Sequence, residues 1–373
     1  MERELLLFQN SIKSPATLRV YQHSLLKFKE YVKVDTYKKL ASLPTKELQN
    51  TLEDYVMERK TQGKSRSVIK MTLCSLELFC DVNDVEIKWK KIRRLLPAQK
   101  KKVGAKAYTT EQVQTMLQHT VGVRNIALVH FLASTGVRIG AIPELKIKHV
   151  QDYQEGCKIV TIYPDEYEEY RTFLTPEASA ALTRYLEKRQ KDGENFSPEN
   201  PLFRDQYAMG SSPPKHLHKI SFQAIIDRIS RRSGMRWGYE GNRRDVQLNH
   251  GFRKRWNTIV KTTDGVKIIL AEKMFGHTTP TIPLDETYLD ASDENLFKEF
   301  RKAIPNLTVD SSERLRVKNQ QLQNEKSQLE KAIEIKDEMA LLLQQQKFPH
   351  EGMNNSWKKE VRDMILELNS NTT

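Results

Sequence analysis

Residues 134–142 read Ser-Thr-Gly-Val-Arg-Ile-Gly-Ala-Ile. The run before them, near Val123–Ser134, is apolar at helical spacing, so Gly136 stands where a helix ends and Arg138 follows between apolar neighbours. An arginine so placed is costly to bury without an anion beside it. The anion is either a carboxylate of the same chain, giving an internal salt bridge, or one supplied from outside.

Three further stretches carry chemistry. In His250-Gly251-Phe252-Arg253 the three-residue spacing puts imidazole and guanidinium on one helix face, with Asp245 and Asn249 just before. Such a pair suits one phosphate, though the motif alone is a weak signal. In Phe275-Gly276-His277-Thr278 the glycine reads as the residue that closes a helix, which poises His277 in a turn. A histidine there is either functional or satisfied by backbone carbonyls. Tyr288 lies eleven residues later, in Asp285-Glu286-Thr287-Tyr288-Leu289. A phenol of ordinary pKa, about 10, is a poor nucleophile and needs positive charge around it. Most of the 13 tyrosines are packing residues, so Tyr288 gains weight only from its company.

The chain has 373 residues, room for two or three domains, and carries a formal charge of +13. Residues 1–106 hold 23 Lys/Arg against 12 Asp/Glu, residues 107–306 hold 28 against 25, and residues 307–373 hold 10 against 11. The excess is therefore confined to the first third, an electrostatic footprint for a polyanion such as nucleic acid. No apolar run is long enough for a membrane helix, and the Met-Glu-Arg-Glu start lacks the basic region and cleavage site of a secretory leader. Cys74, Cys80 and Cys157 lack metal-ligand spacing and fit a reducing compartment. Helical periodicity and caps predict a four-helix module over residues 1–96, with helices near 14–34, 45–60, 65–80 and 86–95. Residues 97–106, with Lys100, Lys101, Lys102 and Lys106, have the composition of a basic linker able to follow a phosphate backbone. A second domain over 107–306 opens with a capped helix at 111–118. It carries a short hairpin at 157–163 and 170–174, then helices near 176–189, 220–233, 250–261 and 266–275. In the tail, 307–373, Leu315, Leu322, Leu329 and Leu343 fall on a seven-residue grid whose remaining place is Lys336. Asn319, Lys326, Ile333 and Ala340 take the partner positions, so the tail reads either as a coiled-coil seam weakened by polar residues or as a single charged helix. A last amphipathic stretch, Trp357 to Leu368, suits docking on a protein surface.

The order Arg138, His250-x-x-Arg253, Gly276-His277, Tyr288 resembles the tyrosine recombinase (phage integrase) family, over roughly residues 11–305. The resemblance implies a mainly α fold with a small β-sheet. A helical core-binding domain clamps DNA, an α+β catalytic domain follows, and the tail lies outside the match. It implies that Arg138 and Arg253 grip the non-bridging oxygens of a phosphodiester, that His250 and His277 hydrogen-bond them or move a proton, and that Tyr288 attacks phosphorus. A 3′-phosphotyrosyl link and a free 5′-hydroxyl result, and religation needs neither ATP nor a metal cofactor. The implied partner is double-stranded DNA, held by a homo-tetramer. Tail-mediated self-association, a cytoplasmic, nucleoid-associated location and no membrane complete the expectation.

The sequence departs from the family pattern at the hairpin. The family places a general-acid lysine there, whereas Tyr163-Pro164-Asp165-Glu166-Tyr167-Glu168-Glu169-Tyr170-Arg171 is acidic. Lys158 is the first substitute, with Lys148 and then Arg171 behind it, and Arg171 also counts as a DNA contact. Ala141 occupies the place of an acidic residue three after the first arginine. Two other readings stay open: a DNA-binding protein of the same fold without chemistry, and a type IB topoisomerase, against which the heptad-like tail and compact first domain weigh.

Overall fold

The computed structural model describes residues 2–99, 106–205, 214–235, 238–240, 243–277 and 291–346. Lys100, Lys101, Lys102, Tyr288 and the Trp357–Leu368 stretch lie outside the described residues. The chain divides into two compact units, with the boundary after Val103.

The first unit is helical: α1 (Arg3–Asn10), α2 (Pro15–Val32), α3 (Tyr37–Ala41), α4 (Thr45–Thr61), α5 (Arg66–Val82) and α6 (Trp89–Arg94). Side-chain caps set several starts. Ser14 accepts from the Thr17 N–H ahead of Pro15, and Ser65 accepts from the Val68 N–H. The apolar faces of these helices meet in one core around Leu25, Phe28, Leu52, Tyr55, Leu76 and Phe79. The four-helix expectation omits α1 and α3, which are too short to show periodicity. The fully buried Phe8 of α1 meets Phe79 edge-on at 6.0 Å, so tertiary packing rather than local pattern makes that helix.

The second unit opens with α7 (Thr110–Gln118), entered through a reciprocal cap between Thr109 and Gln112. The apolar α8 (Val123–Thr135) runs through the core, its last turns wholly buried. A three-stranded antiparallel sheet follows, in the order β1 (Val150–Asp152), β2 (Lys158–Ile162), β3 (Tyr170–Leu174). The sequence reading omits β1, whose three residues are half-buried or exposed and give no alternation. Thr175 caps α9 (Pro176–Lys191), and α10 (Lys219–Arg232) leads to a two-stranded hairpin, β4 (Tyr239–Glu240) and β5 (Arg243–Arg244). Then come α11 (Leu248–Thr262), α12 (Ile268–Met274), α13 (Asp293–Leu307) and α14 (Ser311–Gln346). A second core joins α11, α12, α13 and β3 through Trp256, Phe275, Phe297, Phe300 and Phe173. In α14 the Leu315, Leu322, Leu329 and Ile333 side chains are each more than half exposed. No described helix is long and apolar enough to cross a membrane.

Two buried arginines tie this unit together. Arg255 on α11 donates to the Ala133 carbonyl at the end of α8 and to the Leu307 carbonyl at the end of α13. It thereby satisfies helix-terminal acceptors that have no partner within their own helix. Arg189 is fully buried and grips Glu194 through two nitrogens, with Arg204 on the same carboxylate. Removing Arg189 leaves Glu194 buried with only part of its counter-charge. Arg189→Met should cost about 3 kcal/mol in urea unfolding, and a loss below ~1 kcal/mol would show that Arg204 alone suffices.

Candidate active site

Two helix ends that terminate in glycine build the site. Gly136 ends α8 with φ +59°, and a Cβ there would sit 2.6 Å from Trp256 Cβ, so both backbone and space require glycine. The reversal sends Val137 back into the core and leaves Arg138 exposed. Gly276 ends α12 with φ +61°, where a side chain would run into the Tyr170 ring.

The helix α11 crosses both ends. Arg253 is 7% exposed and donates from Nη1 to the Gly136 carbonyl at 2.9 Å and from Nη2 to the Phe275 carbonyl at 2.8 Å. Its guanidinium carbon lies 3.5 Å from the centroid of the Phe275 ring, which itself stacks on Trp256 at 5.1 Å. Arg138 Nη1 is 3.5 Å from the Gly276 carbonyl, a long contact. Helix C-termini carry partial negative charge, which holds the two guanidinium groups without neutralising them. Among the described residues no carboxylate pairs with Arg138 or Arg253. Of the two readings of Arg138, the internal salt bridge is therefore not what the described residues provide.

The histidines join this cluster. Burial, then repulsion from Arg253, Lys254 and Arg138, holds the His250 pKa below its usual value. Burial also lowers that of His277, with Arg253 and Arg138 pushing the same way and Glu272 opposing them. Arg253 is itself depressed, by burial and then by Arg138. Arg138, His250, Arg253 and His277, far apart in sequence, thus share one electrostatic neighbourhood.

Two tyrosines that sequence reasoning did not single out stand beside them. Tyr170 is buried against Gly276, and desolvation pushes it up to about 12 although Arg253 opposes the shift. Tyr163, at the end of β2 with φ 53°, is half-buried; desolvation raises it against the pull of Arg138 and Arg253. Their one sequence signal is that they bracket the acidic hairpin.

The remaining candidates are engaged elsewhere. Lys158 pairs with Asp152, its cross-strand partner on β1. Arg171 pairs with Asp293 in the first turn of α13, and Lys148 shares Glu199 with Lys146. Lys106 is fastened rather than strap-like: it bridges to Val246 through the backbone, and its ammonium lies 3.5 Å from the Asp245 carboxylate. Within the first unit, a cleft of about 870 Å³ beside the α4–α5 turn is lined by Lys60, Lys64, Arg66, Lys70 and Arg93. These are basic residues that total charge had located only to the first third.

Because folding depresses both imidazoles, the unfolded chain binds more protons once the pH drops below about 6.5, and stability present above that value is lost on acidification. Replacing both, as His250→Gln with His277→Gln, should flatten that loss. Urea midpoints taken at about pH 7.5 and about pH 5.5 check it, and an equal acid-side fall in both proteins would reject the assignment.

No curated protein matches the chain. Among solved structures, the lambda integrase dimer bound to a COC′ core site is similar with a TM-score of 0.51 at 16% identity, covering 78% of this chain and 76% of that one. The XerH site-specific recombinase bound to difH substrate gives 0.50 at 20% identity, covering 75% and 78%. A lambda integrase fragment bound to DNA gives 0.50 at 16%, covering 78% and 96%. At these identities the likeness shows the fold, mainly helical with a small antiparallel sheet. The model of the phage integrase family matches residues 106–295, a span that includes both glycine-ended helices and both arginines. This chain belongs to the phage integrase (tyrosine recombinase) family and shares the fold of these recombinases.

Proposed function

We propose that the chain is a site-specific DNA recombinase that cuts and rejoins DNA through a phosphotyrosyl intermediate. The observation that carries the reading is the pair of guanidinium groups, Arg138 and Arg253, which lie beside two imidazoles and are held by neutral carbonyls, with no carboxylate on either arginine among the described residues. Such a cluster is complementary to a phosphodiester whose charge grows in the transition state. Arg138 and Arg253 take the non-bridging oxygens, and His250 and His277 hydrogen-bond them or move a proton. The Tyr288 oxygen bonds to phosphorus as the bond to the 5′-oxygen breaks, and that oxygen leaves with a proton as a hydroxyl. The phosphotyrosyl ester retains the bond's free energy, so a second strand's 5′-hydroxyl reverses the step without ATP.

The basic first unit supplies the grip on duplex DNA. Its domain, 1–96, serves as the clamp, 97–106 as the linker, 107–306 as the catalytic domain and 307–373 as a helical tail. Lys60, Lys64 and Lys70 of the α4–α5 cleft join Lys100–Lys102 on the phosphate backbone. Strand exchange requires a tetramer on DNA in the cytoplasm, at the nucleoid. The exposed leucine stripe of α14 provides a surface for association between copies.

One observation favours a second reading, a DNA-binding protein of this fold that has lost chemistry. The β2–β3 turn carries no lysine and Lys158 pairs with Asp152, so the hairpin offers the leaving 5′-oxygen no free ammonium.

A suicide DNA substrate separates the two. Wild type should form a covalent protein–DNA adduct, mapped by peptide mass to Tyr288, that Tyr288→Phe abolishes; tight binding with no adduct from either protein supports the second reading. Replacing Lys100, Lys101 and Lys102 with alanine should lower the slope of log K against log salt by about two to three. An unchanged slope means that those lysines do not touch phosphate.

A further inference from the structure

The segment Glu272-Lys273-Met274-Phe275-Gly276-His277 closes α12 with two backbone hydrogen bonds. The Gly276 N–H donates to the Lys273 carbonyl at 3.1 Å and the His277 N–H donates to the Glu272 carbonyl at 3.2 Å. This pairing is the Schellman end of a helix, which folds the second residue past the end back over the last turn. An apolar contact usually accompanies it, but here the contact is a hydrogen bond between an imidazole and a carboxylate. His277 Nδ1 lies 2.7 Å from Glu272 Oε2. The other carboxylate oxygen, Oε1, takes the ammonium of Lys261, two helical turns beyond Arg253 on α11. The imidazole also stands edge-on to Phe275 at 4.6 Å, the ring that lies against Arg253. His277 is thus fixed by its own backbone, by a carboxylate and by an aromatic edge.

A carboxylate only accepts, so the nitrogen facing it carries the proton. We propose that Glu272 is a positioning residue for DNA cleavage: it holds His277 with the proton on Nδ1 and keeps Nε2 for the scissile phosphodiester, while Lys261 keeps Glu272 anionic. The assignment rests on His277 acting in the recombinase reaction. It goes beyond that reading by naming two residues, Glu272 and Lys261, whose side-chain contacts among the described residues are with each other and with His277. The charges that bear on the imidazole act in opposite senses. Burial comes first and lowers its proton affinity, Glu272 raises it, and Arg253 and Arg138 lower it. For Glu272, burial is outweighed by Lys261 and His277, so it stays ionised at working pH. Without Glu272 the imidazole keeps only the repulsive neighbours and can exchange its two nitrogens. Carboxylates bonded to functional histidines elsewhere set both tautomer and basicity in this way.

The alternative role is a structural tie between α11 and α12, through Lys261 and Glu272 alone. Glu272→Gln keeps size and hydrogen-bonding capacity while removing the charge, and Lys261→Met breaks the tie but spares the Glu272–His277 contact. The full chain labelled with ¹³C at histidine Cε1 gives the His277 titration by NMR, assigned with His277→Gln. The positioning role predicts that Glu272→Gln lowers the His277 midpoint by about one unit, a tenfold loss of proton affinity. Lys261→Met removes a cation and leaves the Glu272 carboxylate on the imidazole, so it should not lower the midpoint. In adduct formation on a suicide substrate, the limb of the pH profile that His277 governs should move to lower pH by the same amount in Glu272→Gln. A titration and pH profile that match wild type, with only thermal stability reduced, would overturn the assignment and leave the tie. Should wild type form no adduct at any pH, the recombinase reading fails by itself. The NMR midpoint then still decides whether Glu272 controls His277: a shift upholds the contact and no shift removes it.

Discussion

The double hydrogen bond from Arg253 to the Gly136 and Phe275 carbonyls is the constraint on which the second unit turns. A guanidinium 93% removed from solvent is tolerable only if its donors are met, and here they are met by the unpartnered ends of two helices. That demand fixes where α8 and α12 stop. Both stops need glycine, because each carbonyl must turn toward the arginine while the backbone passes within contact of Trp256 or Tyr170. Arg255, two residues on, uses the same device on Ala133 and Leu307. The helix α11 therefore organises the unit by capping its neighbours with arginines rather than by apolar packing alone.

Much of this was legible in the sequence, and the reason is local chemistry. Ser14, Ser65, Thr109 and Thr175 announce helix starts because a side-chain oxygen at that position satisfies a free N–H. Gly136 and Gly276 announce ends for the reasons above. Where an element depends on distant partners the signal vanishes. The helix α1 exists because Phe8 reaches Phe79, and the strand β1 because it pairs with β2. The site divides along the same line. Arg138, His250, Arg253 and His277 sit in recognisable local frames, and the fold brings them together. The commitment of Lys158 to Asp152, of Arg171 to Asp293 and of Lys106 to Asp245 is a matter of pairing across the fold, which no spacing rule reveals. Glu272 lies only five residues from His277, but the usual contact at such a helix end is apolar, so the spacing did not point to a carboxylate.

Electrostatics is organised on two scales. The first unit carries a diffuse excess of cations, part of it gathered at the cleft of Lys60, Lys64 and Lys70, which suits contacts that are weak singly and additive along a polyanion. The second unit is nearly neutral, and there Lys148, Lys158, Arg171 and Arg189 are paired with carboxylates whereas Arg138 and Arg253 are held by carbonyls. Two adjacent guanidinium groups left without a counter-charge among the described residues make a place where an anion gains.

The carbonyl-held guanidinium pair has a consequence for selectivity. Its donors match oxygens on phosphorus, and every nucleotide step presents the same oxygens, so this part of the protein is blind to base identity. Whatever decides where along a duplex the protein works must reside in groove-facing surfaces elsewhere on the chain, and those surfaces can diverge without disturbing the helix ends that hold the arginines in place.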